Sequence, residues 1–329
     1  MAPRCCKERH VGAFFIFLKD MKKFFYFFAV AALVACGGGS DSPEPQPKPT
    51  PTPTPAVGNA NKNDASSNAY LARLEMPKTK DGSKVITHTT DDYGVTFSLE
   101  WDSKIRAQRW TCYDLNKRNA AKNGNTRKSL WPDGDPWDVD PDVPKSEQQA
   151  TYSELSKSYY PGSNDYYEKG HVCPSNDRLY TKAANKQTFY MTNILPMVGK
   201  FNGKLWQKME LQVNSWAQKL GDGDTIFVCK GGTIDKADQI LGKTIGNHVV
   251  PKYFFMALYA KTSTGQKMLG FWAEHLNEDK SGDALKGYVV SIDELEQKTG
   301  IDFFCNLSDT IEEQLESKTA ADIISAWGL

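Results

Sequence analysis

The chain of 329 residues carries no net charge: 40 Lys and Arg stand against 40 Asp and Glu. That balance excludes a protein that coats nucleic acid through many static phosphate contacts. It leaves room for an enzyme that must release its product, because a local cluster of cations is enough for that. The seven cysteines include no C-x-x-C pair, which argues against a structural zinc site. There is no P-loop, no G-x-G-x-x-G and no internal repeat. The apolar run from Phe24 to Ala35 is too short to span a bilayer comfortably.

That run has a different use. Met21-Lys22-Lys23 supplies a basic start, and Leu33-Val34-Ala35-Cys36 ends it with a small residue before a cysteine. This is the form of a secretory signal with a lipobox. The reading takes Met21 as the start and residues 1–35 as an extension plus signal peptide. Cys36 is then the lipidated first residue of the mature chain. A lipid there anchors the protein to an outer membrane, on its periplasmic or cell-surface side, without a transmembrane helix. Residues 36–69 read as a linker. From Pro43 to Pro55 every second residue is proline, a stiff polyproline spacer of about 40 Å. Residues 58–68 read as equally unstructured, so the folded domain is expected over 70–329. Residues 1–35 hold six of the basic and two of the acidic residues, leaving 34 and 38, a net of −4. Cys112, Cys173, Cys229 and Cys305 remain. In an exported protein they permit two disulfides in any of three pairings, or four buried thiols.

Strand patterns alternate with turns. Lys84–Thr89 and Val95–Leu99 read as a first hairpin, followed by a strand at Arg109–Leu115. Residues 116–166 are polar and rich in Pro, Asp, Asn and Gly, an irregular excursion with a short helix at Glu147–Leu155. Thr188–Asn193, Asp224–Cys229, Val249–Ala260 and Met268–Ala273 read as further strands. Leu205, Met209, Val213, Trp216 and Leu220 recur at intervals of three and four, which predicts a helix over Gly203–Gly221 with one buried stripe. Asn202 stands where an asparagine caps such a helix. Ser291, with Glu294 three residues on, caps another. Asp309–Lys318 and Ala320–Trp327 read as the last two helices.

One stretch carries chemistry. Within about forty residues it places His171, Asn193, Asn202 and Glu210. A histidine takes a proton from water near neutral pH. An amide oxygen holds Mg²⁺ while leaving most of its waters in place. A metal neutralises charge that builds on a phosphate. Trp206, Glu210 and Asn214 form a second four-spaced row on the predicted helix. His88, His248 and His275 have no ligand-spaced partners and read as structural. Tyr159, Tyr160, Tyr166 and Tyr167 suit either base stacking or packing.

In order, Glu168-Lys169-Gly170-His171-Val172-Cys173-Pro174, then Asn193-Ile194, then Asn202, Trp206 and Glu210, the chain resembles the DNA/RNA non-specific endonucleases of the ββα-metal superfamily, which include endonuclease G. Arg106-Ala107-Gln108-Arg109-Trp110, Val250–Phe254 and Thr299–Phe304 extend the likeness to residues 84–308. The resemblance implies an α+β fold: a mixed or antiparallel central sheet flanked by helices, with a ββα-metal active-site motif. It implies a Mg²⁺-dependent hydrolase, with Mn²⁺ as the other candidate, acting on DNA and RNA and leaving 5′-phosphate ends. It makes His171 the general base and Asn202 the one direct protein ligand of the metal. Glu210 orients water, Asn193 helps to position the site, and Arg106 and Lys169 face phosphate. Two departures stand out. Glu168-Lys169 replaces the family's Asp-Arg, and Lys lacks the bidentate fork of Arg. Asn214 stands where the family often has an arginine, so that charge is missing or comes from elsewhere, with Arg178 and Lys208 as candidates. Cys173 beside the active strand suggests a disulfide to a neighbour.

The departures motivate a second reading, a non-catalytic surface lipoprotein that binds nucleic acid with a retained nuclease fold. A third, an interbacterial toxin, has no adjacent delivery domain to support it.

Overall fold

A computed structural model describes residues 58–148 and 154–329. The signal, lipid-site and proline-spacer readings lie outside the described residues. No helix among the described residues is long and apolar enough to cross a membrane.

Eleven strands are present among the described residues: β1 (Lys84–Thr90), β2 (Gly94–Asp102), β3 (Ala107–Asn116), β4 (Tyr167–His171), β5 (Ile194–Val198), β6 (Thr225–Gly232), β7 (Ile240–Lys243), β8 (Val249–Pro251), β9 (Tyr253–Thr262), β10 (Gly265–Glu274) and β11 (Val289–Val290). Seven make one sheet in the order β1-β2-β3-β6-β9-β10-β11, every neighbour antiparallel. β4 pairs with β5, and β7 with β8. The helices are α1 (Lys117–Ala120), α2 (Arg127–Leu130), α3 (Lys145–Gln148), α4 (Lys182–Gln187), α5 (Gln207–Ala217), α6 (Ile292–Thr299), α7 (Asp309–Glu316) and α8 (Ala320–Trp327). This is the expected α+β class.

The sheet is buried on both faces, so its central strands show apolar runs rather than alternation. Along β9, Phe254, Met256, Leu258 and Ala260 enter one core with Ile226 and Val228 of β6 and with Leu205, Met209 and Val213. Phe255, Ala257 and Tyr259 enter a second core with Trp110, Cys112, Cys229, Ile292, Leu295 and Leu315. The first core carries α5 and the β4–β5 hairpin. The second carries α6 and α7.

Several expectations change. The strand predicted at Thr188–Asn193 is a turn, with Met191–Asn193 in a 3₁₀ helix, and the strand follows as β5. The apolar run is continuous there, so periodicity cannot set its bounds. The predicted strand Val249–Ala260 breaks at Lys252 into β8 and β9, because β8 pairs with β7 instead of the large sheet. The predicted helix Gly203–Gly221 begins earlier and irregularly: Phe201–Trp206 is a π-helical turn that runs into α5. Asn202 does not cap it. Residues 58–68 are not unstructured. The Asn59 amide donates to Cys305 O, and Asn63 Nδ2 donates to Pro77 O at 2.9 Å. The four cysteines among the described residues, Cys112, Cys173, Cys229 and Cys305, are buried free thiols, so Cys173 binds none of the others through sulfur. Ser291 does cap α6, its Oγ accepting from Glu294 N at 3.0 Å.

Candidate active site

The β4–β5 hairpin is drawn close by a residue without a side chain. A Cβ on Gly170 would sit 2.4 Å from the Met197 side chain, so any larger residue would have to displace that buried methionine. The hairpin is then held from below. His275 Nε2 accepts the Val198 amide at 2.8 Å, and its Nδ1 donates to Pro251 O at 2.9 Å. Burial pushes the His275 imidazole down to about 4, so it stays neutral and keeps both bonds. His88, read as structural, pairs with buried Asp140 at 3.0 Å.

β4 ends at His171, and the chain turns back through Asn193. The Asn193 side chain is fully buried and spends its polar atoms on backbone: Oδ1 accepts from Cys173 N, and Nδ2 donates to Cys173 O and Thr188 O, all within 2.9 Å. It does not line the cleft. It fixes the ends of both strands.

The hairpin and the helix after it form one wall of a cleft of about 620 Å³. Glu168, Lys169 and His171 line it from β4, Asn202 and Gly203 from the π-helical turn, and Gln207 and Glu210 from α5. Lys122, Arg127 and Trp137 also line it. The predicted residues His171, Asn202, Glu210 and Lys169 are therefore brought together. The ring of His171 lies 5.1 Å from those of Trp137 and Phe189. Burial, then the Arg127, Lys230 and Lys169 cations, lower its pKa to about 3. It is a neutral imidazole at working pH. Its Nε2 is buried and has no hydrogen-bond partner.

Asn202 Nδ2 donates to Glu168 Oε2 at 3.0 Å. That bond fixes the orientation of the amide and leaves Oδ1 for another ligand. Gly199 gives Glu168 room, since a Cβ there would meet Glu168 Oε1 at 2.8 Å. An amide oxygen so placed, with carboxylates of Glu168 and Glu210 in the same cleft, suits a hard divalent cation. Glu210 is 15% exposed, and its Oε1 accepts from Lys230 Nζ at 2.5 Å. Burial pushes the carboxyl up to about 7 against the opposing pull of Lys230.

Three expectations about cations are corrected. Arg106 does not line the cleft; it sits at the β2–β3 turn with φ of 58°. The arginine in the cleft is Arg127. Its guanidinium lies 4.8 Å over the Phe189 ring and donates to Asp135 at 2.7 Å. Arg178 and Lys208 do not serve the site. Arg178 is 1% exposed and spent on Thr96 O and Asp177 O, while Lys208 bonds Ser281 O and Asp283 O. Asn214 has no room for the missing charge either, since its Nδ2 donates to buried Asp177. Of the tyrosines, Tyr160 and Tyr167 pack beside His275, and Tyr159 and Tyr166 are exposed away from the cleft lining.

An antiparallel hairpin bearing an imidazole thus leads into a helical turn bearing an amide and a helix bearing a carboxylate. The family described as DNA/RNA non-specific endonuclease matches residues 79–310, and the chain belongs to it. It is a hydrolytic, non-specific nuclease. It is 27% identical over 244 residues to a nuclease of Nostoc sp., covering 70% of this chain and 80% of that one. It is 23% identical over 223 residues to mitochondrial endonuclease G of Homo sapiens, covering 64% and 68%. Among solved structures, one titled for an EndoG/EndoGI complex superposes with a TM-score of 0.58, covering 78% of this chain and all of that one at 18% identity. That likeness concerns the fold.

Proposed function

We propose that the chain is a Mg²⁺-dependent endonuclease that hydrolyses phosphodiester bonds of DNA and RNA and leaves 5′-phosphate ends, with Mn²⁺ as an alternative metal. The observation that carries this is the convergence of a neutral His171, the free Oδ1 of Asn202 and Glu210 in one cleft. Asn202 is the residue that holds the ion. When bound, the ion neutralises charge developing on the phosphate. His171 takes the proton of the attacking water, which its unprotonated state permits. The bond from phosphorus to the 3′ oxygen breaks as the new bond to water forms. Glu210 orders water on the far side, and that water gives the 3′ oxygen its proton. Lys122, Lys169 and Arg127 hold phosphate by charge, which reads no base and accepts either sugar.

The test is cleavage of plasmid and of a long RNA by the purified chain with Mg²⁺, Mn²⁺ or EDTA. Cleavage with metal and none with EDTA supports the reading. Intact substrate in every divalent metal removes it.

The reading also places the enzyme outside the cytoplasm, tethered through a lipid on Cys36. The basic and apolar residues before Leu33-Val34-Ala35-Cys36 support it. Incorporation of labelled palmitate, lost in Cys36→Ala, is the expected result. Equal labelling of the two chains contradicts it.

A further inference from the structure

Lys230 stands where a sheet interior calls for an apolar residue. It lies on β6 in phase with Ile226 and Val228, on the face that α5 covers. Its side chain is 1% exposed. Its Nζ lies 2.5 Å from Glu210 Oε1 and 4.5 Å from the centre of the Trp206 ring. Among the described residues Glu210 is its only ion-pair partner. Taking a lysine this far from water costs several kcal/mol, and replacing a buried ion pair by apolar residues is often neutral or stabilising. Stability therefore gives no reason for a lysine here. Its position gives one: it lies behind Glu210, which lines the cleft.

We propose that Lys230 is a positioning residue for the nuclease reaction, holding one oxygen of Glu210 and leaving the other oxygen to the cleft. This rests on the reading that Glu210 acts in hydrolysis. The other groups around Glu210 do not supply the charge. Asp177, packed beside α5, opposes it. Arg127 is engaged by Asp135, and the Lys169 ammonium lies 4.9 Å over the Trp137 ring. His171 is neutral. Lys230 also helps to keep His171 unprotonated.

The experiment compares wild type, Lys230→Met and Lys230→Arg as full chains. Steady-state cleavage with Mg²⁺ is expected to show kcat down about 100-fold in Lys230→Met with KM within about threefold, and less than about a tenfold loss in Lys230→Arg. The acid limb of the Lys230→Met rate profile moves to higher pH. In metal-free protein, carbon-13 NMR of the Glu210 carboxyl, assigned with Glu210→Gln, shows it titrating at higher pH in Lys230→Met than in wild type. Lys230→Gln replaces Lys230→Met where that variant does not fold. An unmoved Glu210 titration, or a loss of rate that tracks only the folded fraction at every pH, overturns the proposal. The titration needs neither metal nor turnover. It decides Lys230 even where wild type cleaves nothing, a result that would count against the nuclease reading instead.

Discussion

Carboxyls held largely away from water lie on both faces of the central sheet, and they differ in counter-charge. On the cleft face, Glu210 has Lys230 beneath it. On the other face, Glu296 of α6 and Glu312 and Glu316 of α7 have no cation paired with them among the described residues. Oxygens of Asp293, Glu296 and Glu316 lie within 4.8 Å of one another. Burial, then neighbouring acids, push Glu296 up to about 8, Glu312 to about 7 and Glu316 to about 9. One carboxyl has a fixed cation that pulls against the effect of burial. The others have burial and neighbouring acids acting in the same direction, with no paired cation to oppose them. The same residue type carries a counter-charge on the cleft face and none on the other.

Substitutions at the cleft and at the acid cluster test that contrast. The largest effect is expected at the imidazole. His171→Ala lowers plasmid cleavage by about 10³-fold, the scale of a lost general base, while its effect on stability is confined to the lost packing on Trp137 and Phe189, because His171 Nε2 makes no hydrogen bond. Arg127→Ala costs about 100-fold in kcat/KM, as expected for a donor to the strained phosphate. Arg127→Lys recovers only part of it, as a lost fork predicts. Asn193→Ala separates support from chemistry. It strands the Cys173 amide and two carbonyls, at about 1–3 kcal/mol for each group left buried and unsatisfied. Melting temperature falls by many degrees in calorimetry, while the protein that remains folded still cleaves.

The acid cluster gives the pH test. Its folded pKa values lie above the unfolded carboxylate value, so the native state binds more protons between them. The stability it contributes is complete below pH about 4.5 and lost as pH rises through about 7 to 9. Melting temperature is expected to fall from pH 5 to pH 9 in wild type and to fall less in Glu316→Gln. Parallel curves for the two chains would erase the contrast between the faces. The smallest effect is at Arg106: Arg106→Ala leaves cleavage unchanged and stability within about 0.5 kcal/mol.

What was legible in the sequence follows from how local each signal is. The helix stripe Leu205, Met209 and Val213 is buried as its spacing predicts. Ala320–Trp327 is helical with the predicted bounds, because apolar phase and cap are contained in a few residues. The His171, Asn202 and Glu210 set converges because one hairpin and one helix carry all three. Arg127 was missed for Arg106 because it arrives from the polar excursion between β3 and β4, where no periodicity ties a loop residue to the cleft. Its one local signal is the Thr126–Ser129 capping box, which marks a helix turn and not a function. Lys230 was missed although a signal exists: a lone lysine in the inward phase of an apolar strand needs a buried anion. The asparagines of residues 59–63 look like linker by composition. They are ordered by carbonyls and carboxylates more than 240 positions away in sequence, which no local pattern reports.

In the proposed reaction the cleft between β4 and α5 hydrolyses phosphodiester bonds with His171 as its base. The most direct measurement is cleavage of supercoiled plasmid by wild type and His171→Ala under Mg²⁺, with the new ends assayed for 5′ phosphate. The account predicts 5′-phosphorylated fragments from wild type and intact plasmid from the variant over the same interval. Equal cleavage by both chains would contradict it.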